Sequence, residues 1–201
     1  MKSLIYSKKE ESMQVHNIVF TGRFQPLHNG HVKMLENIKR KYPDSNLIIC
    51  IIRNSENIKT DEEKGSFHFH SQEKHIKKNN PLPNRIRFKL LNILIKSNPI
   101  FSKTVVLMRD RPDTDWAKSL QGLPKDRTIV LPSYGKEEFD RQKCEYYKLK
   151  GEKLIFIDID EDMQYSATAI REKLKKGDNR LSFMPTACHD YFNKYCLKYF
   201  A

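Results

Sequence analysis

Five short apolar runs, separated by longer segments, constrain the fold of this chain more than any other feature. The runs are rich in β-branched residues and hold few polar side chains, which is typical of strands buried on both faces. They are IVF (18–20), NLIICII (46–52), TVVLM (104–108), TIVLP (128–132) and KLIFIDI (153–159). Strands that alternate with helices form parallel sheets with right-handed crossovers. The sequence therefore predicts an α/β fold, an open Rossmann-like parallel sheet with helices on both faces.

The segments between the runs carry apolar residues near helical spacing. Val32, Leu35, Ile38 and Tyr42 mark a first helix, and Ile86, Leu90, Ile93 and Leu94 mark another. A chain of 201 residues suits one domain with a small appendage. We expect a domain over residues 14–178 and a helical extension over residues 179–201, with a helix within residues 187–200.

Residues 54–80 break this rhythm because they contain almost no aliphatic side chains. A segment of this composition buries too little surface to offset the entropy of ordering it, so the sequence predicts a mobile insertion. His68, His70 and His75 suggest a metal site there. No cysteine or carboxylate geometry supports that reading, and solvated loop histidines are the simpler interpretation. We therefore predict no metal ligands.

The chain has a net charge of +12, which invites a nucleic-acid interpretation. Its basic residues are scattered from Lys2 to Lys198, so a phosphate-rich small substrate fits equally well and nucleic acid is not the expected partner. Four cysteines without a CxxC pair, a polar start and the lack of a long apolar run predict a cytoplasmic protein that does not span a membrane. The sequence leaves open whether it forms a homo-oligomer.

The stretch GRFQPLHNGH (22–31) lies where the first strand passes into the first helix. Ligands of open α/β sheets bind at the carboxyl ends of the strands, and the positive end of a helix favours an anion. Histidines three positions apart on a first turn face the same side, so His28 and His31 can both donate to one phosphate group. Gly30 allows a close approach, and the stretch predicts a phosphate site.

HNGH resembles the HxGH signature of the nucleotidyltransferase superfamily. The full GRFQPLHNGH is similar to the form found in nicotinamide mononucleotide (NMN) adenylyltransferases of the archaeal type, including those fused to Nudix domains. The resemblance covers about residues 17–175 and implies that His28 and His31 are catalytic. It further implies that the nucleotide is bound by Gly22, Arg23, Phe24, Gln25 and Gly30.

A second stretch, YSATAIREKL (165–174), resembles the second signature of the same family. It is another helix N-terminus, at which Ser166 or Thr168 can cap the helix and Arg171 can reach a phosphate. The resemblance implies that Tyr165, Ser166 and Thr168 bind the nucleotide and that Arg171 is catalytic.

Two weaker matches lie between these signatures. NPLPNRIR (80–87) resembles an element whose arginine faces the triphosphate, which implies a nucleotide-binding role for Arg87, with Arg85 as the alternative. MRDRPDTDW (108–116) resembles a stretch whose tryptophan stacks on the nicotinamide ring, which implies that Trp116 and Asp110 bind the acceptor. A tryptophan that only anchors a helix to the sheet is the competing interpretation.

The sequence departs from the family pattern at three places. Arg53 follows the second strand where a small turn is usual, the insertion is long, and the fourth strand ends in PSYGK (132–136). These positions lie where the second substrate would be recognised, so they affect which acceptor is used. We assign Arg53 to the binding of the acceptor.

The resemblance implies transfer of AMP from ATP, accompanied by Mg²⁺, to NMN, giving NAD and pyrophosphate. A transferase that uses CTP or another phosphorylated acceptor is the first alternative. A non-catalytic nucleotide or nucleic-acid binder is the second.

Overall fold

The five apolar runs form a single parallel sheet, as predicted. In the computed structural model the strands are β1 (Asn17–Gly22), β2 (Asn46–Ile52), β3 (Thr104–Arg109), β4 (Arg127–Pro132) and β5 (Lys153–Ile157). The structure describes residues 15–53, 79–112, 116–133, 138–158 and 166–200. The predicted insertion therefore lies outside the described residues, except for its last two positions.

The strand order β3-β2-β1-β4-β5 places β1 at the centre of the sheet. The chain moves outward from β1 through β2 to β3, and then crosses back to place β4 on the other side of β1. The carboxyl ends of β1 and β4 therefore flank the topological switch point, where ligands of open α/β sheets bind.

The segments between the strands form six α-helices within the described residues, α1 (Asn29–Lys41), α2 (Asn84–Ser97), α3 (Trp116–Leu120), α4 (Glu138–Leu149), α5 (Ala167–Lys175) and α6 (His189–Tyr195). The two helices marked by apolar spacing in the sequence are α1 and α2. The helix predicted within residues 187–200 is shorter than expected, because it ends at Tyr195 and only a 3₁₀ turn, Leu197–Tyr199, follows.

Alternate residues of the strands contribute to two apolar cores, one on each face of the sheet. The larger core lies under α1, α2 and α5, and the last residues of the chain belong to it, including Phe192, Cys196 and Phe200. The smaller core lies under α3 and α4 and includes Val19, Ile48 and Tyr147. Helices on both faces agree with the predicted architecture.

In the parts of the chain that the structure describes, no helix combines the length and apolarity needed to cross a lipid bilayer.

Candidate active site

The junction between β1 and α1 lies at the switch point of the sheet. Strand β1 ends at Gly22, and α1 begins at Asn29 with His28 as its N-cap residue. The rings of His28 and His31 lie 3.7 Å apart between centroids and are tilted by 33°. The histidine pair predicted from the spacing is therefore in contact, on the first turn of the helix.

Hydrogen bonding and burial set the protonation of the two histidines. The backbone N–H of His28 donates to Nδ1 of His31 at 3.4 Å, which leaves the proton of the neutral His31 ring on Nε2. Burial lowers the pKa of His28 to about 4. Burial, His28 and Arg23 together hold the pKa of His31 well below its usual value. At neutral pH both rings are therefore uncharged donors until an anion binds beside them.

Phe24 fixes the connection that leads to the histidines. Its backbone has a φ of +53°, its side chain is buried, and its ring centroid lies 4.9 Å from that of His31. A Cβ atom added at Gly22 would lie 2.9 Å from the Phe24 ring, too close for carbon atoms in contact. Gly22 is therefore the residue that leaves room for this ring.

Gln25 joins the same connection to the segment before α2. Its side-chain Nε2 donates to the carbonyl oxygen of Leu82 at 3.0 Å, and the N–H of Leu82 donates to Oε1 at 2.9 Å. Gln25 is 2% exposed, so both bonds are shielded from water. The side-chain amide of Gln25 thus pairs with the backbone of Leu82 through two hydrogen bonds, as a neighbouring strand would, and fixes the loop after β1.

Arg171 brings the N-terminus of α5 to this loop. Its Nη1 donates to the carbonyl oxygen of Gln25 at 2.8 Å and its Nη2 to the Thr168 hydroxyl at 3.0 Å. Ser166 is the N-cap of α5 and accepts from the N–H of Ala169 at 3.4 Å. The two signature stretches, far apart in sequence, therefore meet in space. Tyr165 lies outside the described residues.

Arg87 lies beneath the junction and is fully buried. Its Nη1 donates to the carbonyl oxygens of Arg23 at 2.6 Å and Ile52 at 2.8 Å, and its Nη2 donates to Asn84. These bonds join the ends of β1 and β2 to the start of α2. Arg85, the alternative at this element, is exposed.

Positive charge is concentrated around the junction. Burial, with Arg171 nearby, lowers the pKa of Arg23 to about 10, and burial, with Arg23 nearby, does the same for Arg87. Burial also lowers the pKa of Arg171. Cations that repel one another in a partly dehydrated site are stabilised when a polyanion binds among them. The junction can therefore hold a phosphate chain.

One backbone N–H at the start of α1 already donates to the C-terminal extension and is not available to an anion. The N–H of Asn29 donates to the carbonyl oxygen of Phe183 at 2.7 Å, and the Asn29 side chain donates to the carbonyl oxygen of Ser182 at 2.9 Å. The C-terminal extension thus occupies one of the N–H groups expected to meet the anion, and it anchors the first turn that carries His31.

The predicted acceptor side lies at the carboxyl ends of β2 and β3. Asp110 pairs with Arg53 at 3.1 Å and with Lys118 at 3.2 Å. Burial raises the pKa of Asp110, but hydrogen bonds from Lys118 and Arg53 outweigh burial, and the net shift is downward. Both carboxylate oxygens of Asp110 therefore bind cations of this chain.

Trp116 begins α3 and packs into an aromatic cluster. Its ring centroid lies 5.7 Å from that of Tyr146 and 6.0 Å from that of Tyr147, with edge-on geometry in both pairs. The side chain is half-buried. It thus anchors α3 against α4. This packing agrees with the interpretation of Trp116 as an anchor and does not require that it stack on a nicotinamide ring.

Lys143 is a charged residue of this site that the motifs do not contain. It lies on α4, and its charge interacts with those of Arg23 and Asp140. A sequence signal for it exists, because it precedes Tyr146 and Tyr147 by three and four positions and so shares their helical face.

No group of three or more histidine, cysteine, aspartate or glutamate side chains is arranged to hold a metal ion within the residues that the structure describes. His68, His70 and His75 lie outside those residues.

Comparison with known proteins gives the family. A cytidylyltransferase-like family model matches residues 19–173, and the chain belongs to this family of HxGH nucleotidyltransferases. None of the curated proteins compared with the chain matches it significantly.

Solved structures share the fold at low sequence identity. A bifunctional NMN adenylyltransferase/ADP ribose pyrophosphatase from Francisella tularensis, complexed with AMP and a Mn ion, is 20% identical with a TM-score of 0.57, over 90% of this chain and 49% of that one. The Plasmodium falciparum nicotinic acid mononucleotide adenylyltransferase complexed with NaAD is 14% identical with a TM-score of 0.54, over 92% and 98% of the two chains. Thermotoga maritima TmcAL bound with alpha-thio ATP is 11% identical with a TM-score of 0.55, over 90% and 56%.

This chain therefore spans about half the length of the Francisella protein. At these identities the likeness establishes the fold of the chain.

Proposed function

We propose that this chain transfers the adenylyl group of ATP to the phosphate of NMN, giving NAD and pyrophosphate. The observation that carries the proposal is the pair of uncharged histidines, 3.7 Å apart, at the start of α1 beside a cluster of arginines. The resemblance of GRFQPLHNGH to NMN adenylyltransferases supports NMN as the acceptor, as do the activities of two structural neighbours, which act on NMN and on nicotinic acid mononucleotide.

The proposed reaction requires alignment rather than a strong base. A phosphate oxygen of the acceptor, already anionic, attacks the α-phosphorus of ATP, and the bond from that phosphorus to the bridging oxygen breaks to release pyrophosphate. Negative charge grows on the α-phosphate oxygens and on the leaving group. Preorganised donors at those oxygens lower the barrier to the reaction.

We assign the donors by their geometry. His31, with its proton on Nε2, and His28 bind the α-phosphate oxygens, and Arg23 binds the phosphate chain. Arg171 and Arg87 contribute charge and hold the loop through their bonds to Gln25 and Arg23. Gly22, Phe24, Gln25 and Gly30 shape the loop, and Ser166 and Thr168 order the start of α5.

A divalent cation would reach this site bound to the nucleotide. The arginines around the junction repel a metal ion but bind its phosphate ligands, and Mg²⁺ prefers the oxygen ligands of the phosphates to the two imidazole rings. We propose Mg²⁺ as the companion of ATP, carried by the phosphates and by water.

A second candidate function is transfer to another phosphorylated acceptor. Two observations favour it, the pairing of Asp110 with both Arg53 and Lys118 and the packing of Trp116 against two tyrosines. All three residues assigned to the acceptor, Arg53, Asp110 and Trp116, are thus engaged with the protein.

A pyrophosphate-release assay distinguishes the candidates. ATP and CTP are each mixed with NMN, nicotinate mononucleotide, and phosphorylated alcohols, sugars and pantetheine. We expect release with ATP and NMN, together with formation of NAD. Release only with a different acceptor supports the second candidate, and retention of oligonucleotides without release supports a binding protein.

A further inference from the structure

The inner face of α4 carries a lysine outside every recognised motif. Lys143 is half-buried, whereas Lys148, the other lysine of this helix, is exposed. Lysine is rarely buried without a partner or a ligand, because removing its charge from water is costly. The position of Lys143 on the buried face therefore requires an explanation.

Lys143 lines a groove of about 300 Å³ between α4 and the carboxyl end of β4. Because β4 pairs directly with β1, this groove borders the switch point on the side away from β2 and β3. Arg23, which follows β1, is close enough to repel the ammonium group of Lys143. The groove thus continues the cationic site of the β1–α1 junction.

Cations outnumber carboxylates in the groove around Lys143, because Arg141, Lys143 and Lys148 line it together with Asp140 and Glu145. Asp140, one helical turn earlier, attracts it, while Arg23 repels it, and burial lowers its pKa to about 8. The residues that β4, its following turn and β5 contribute to the groove carry no charge; they are Leu131, Pro132, Ser133 and Phe156. Burial deprives the Lys143 ammonium group of its stabilisation by water, and a bound anion would stabilise that charge instead.

We propose that Lys143 binds the phosphate chain of the nucleotide substrate, which extends from the histidine pair into the groove between α4 and β4. The inference rests on the proposed nucleotidyl transfer. It assigns Lys143 to the nucleotide rather than to the acceptor, because the acceptor residues Arg53 and Asp110 lie at the opposite side of β1, at the ends of β2 and β3.

The test is calorimetric binding of ATP and of inorganic tripolyphosphate to the wild-type chain and to three variants. K143Q is expected to weaken both ligands by about tenfold or more, because it removes a charge-assisted hydrogen bond. K143R, which retains the charge, is expected to bind within about threefold of wild type. K89Q is the control, since Lys89 is an exposed lysine on α2 and does not line the groove.

Kinetics separate a binding role from a structural one. In K143Q the KM for ATP is expected to rise, with the KM for the acceptor unchanged and the thermal unfolding midpoint close to that of wild type. Wild-type affinity of K143Q for both ligands would overturn the proposal, as would equal loss in K143R or K89Q.

The proposed acceptor is tested separately. If the chain binds ATP through Lys143 but releases pyrophosphate only with an acceptor other than NMN, the assignment of NMN fails and that of Lys143 stands. If K143Q binds ATP like wild type while NAD still forms, the assignment of Lys143 fails and that of NMN stands. A wild-type chain that binds neither ATP nor tripolyphosphate contradicts both.

Discussion

The two sides of the site are held in different ways. At the β1–α1 junction, the loop is tied to the protein by buried hydrogen bonds to backbone groups, through Gln25, Arg87 and Arg171, which are 2%, 0% and 4% exposed. At the ends of β2 and β3, the contacts are ion pairs of Asp110 with Arg53 and Lys118, whose side chains are 46% and 59% exposed.

This difference separates the part of the site to which we assign the transfer from the part to which we assign the acceptor. Buried hydrogen bonds to the backbone are costly to break, so the junction tolerates little substitution. Exposed ion pairs contribute little to stability, so the acceptor side can change at low cost. Mutations on the two sides are therefore expected to separate turnover and folding from acceptor selection.

The largest expected effect is on turnover, in His31→Ala. Loss of one preorganised donor at the α-phosphate is expected to lower turnover by a factor of about 10² or more, with the fold intact. Pyrophosphate release and a thermal melt measure the two properties. His16→Ala, at an exposed histidine just before β1, is the control. Wild-type turnover in a folded His31→Ala protein would remove the histidine pair from the mechanism.

The next effect is on folding, in Gln25→Leu. This variant leaves the N–H and carbonyl groups of Leu82 without their buried partner, which is expected to cost about 2 to 4 kcal/mol in the free energy of unfolding. Urea denaturation measures the change. Gln121→Leu, at an exposed glutamine, is expected to stay within about 0.5 kcal/mol of wild type. Equal effects of both variants would show that the hydrogen bonds between Gln25 and Leu82 do not stabilise the junction.

The third effect is the response of the junction to acid. Because the pKa of His28 is about 4 in the folded chain and 6.5 ordinarily, the unfolded chain binds more protons between these values. Stability is therefore lost as pH falls from 6.5 towards 4. A pKa lowered from 6.5 to about 4 corresponds to a loss of up to about 3 kcal/mol.

His28→Gln is expected to reduce the slope of this part of the pH profile, and the slope that remains is due to His31, whose pKa is also lowered. The acceptor side behaves differently, because the lowered pKa of Asp110 keeps its ion pairs intact until pH falls below 3.8. Urea midpoints measured from pH 7 to pH 4.5 provide the comparison. A wild-type slope in His28→Gln would show that the ring is already protonated in the fold.

The smallest expected effect on stability is that of Arg53→Ala. Loss of this exposed pair is expected to change the free energy of unfolding by less than about 1 kcal/mol, while the KM for the acceptor changes several-fold. Arg40→Ala, which removes an exposed pair with Glu36 on α1, is the control for both quantities. Unchanged acceptor kinetics would remove Arg53 from the acceptor side.

The parts of the molecule that could be predicted from sequence are those with local signals. Five β-branched runs give the five strands, and the spacing of His28 and His31 gives a pair on one helical turn. The start of a helix within GRFQPLHNGH also follows from a local pattern, as does a cap at Ser166, one of the two residues predicted for it.

The remainder depends on contacts between residues distant in sequence. Gln25 meets Leu82 across 57 positions, and Asn29 meets Ser182 across 153, and neither contact leaves a periodic or spacing signal. Arg87 could be located by its motif, but its buried bonds to two strand ends could not. The spacing of Lys143 from Tyr146 and Tyr147 places it on the buried face of a helix. The sequence does not show that this face borders the site, because that depends on the pairing of β4 with β1.

We propose that an acceptor phosphate attacks the α-phosphorus of ATP at the β1–α1 junction. ATP carrying ¹⁸O in the bridge between its α- and β-phosphates, mixed with the protein and NMN, tests this attack. We expect the label to appear in pyrophosphate while NAD forms in equal amount, because the bond from the α-phosphorus to the bridge breaks. Label that remains with AMP, or ATP that stays intact, would contradict it.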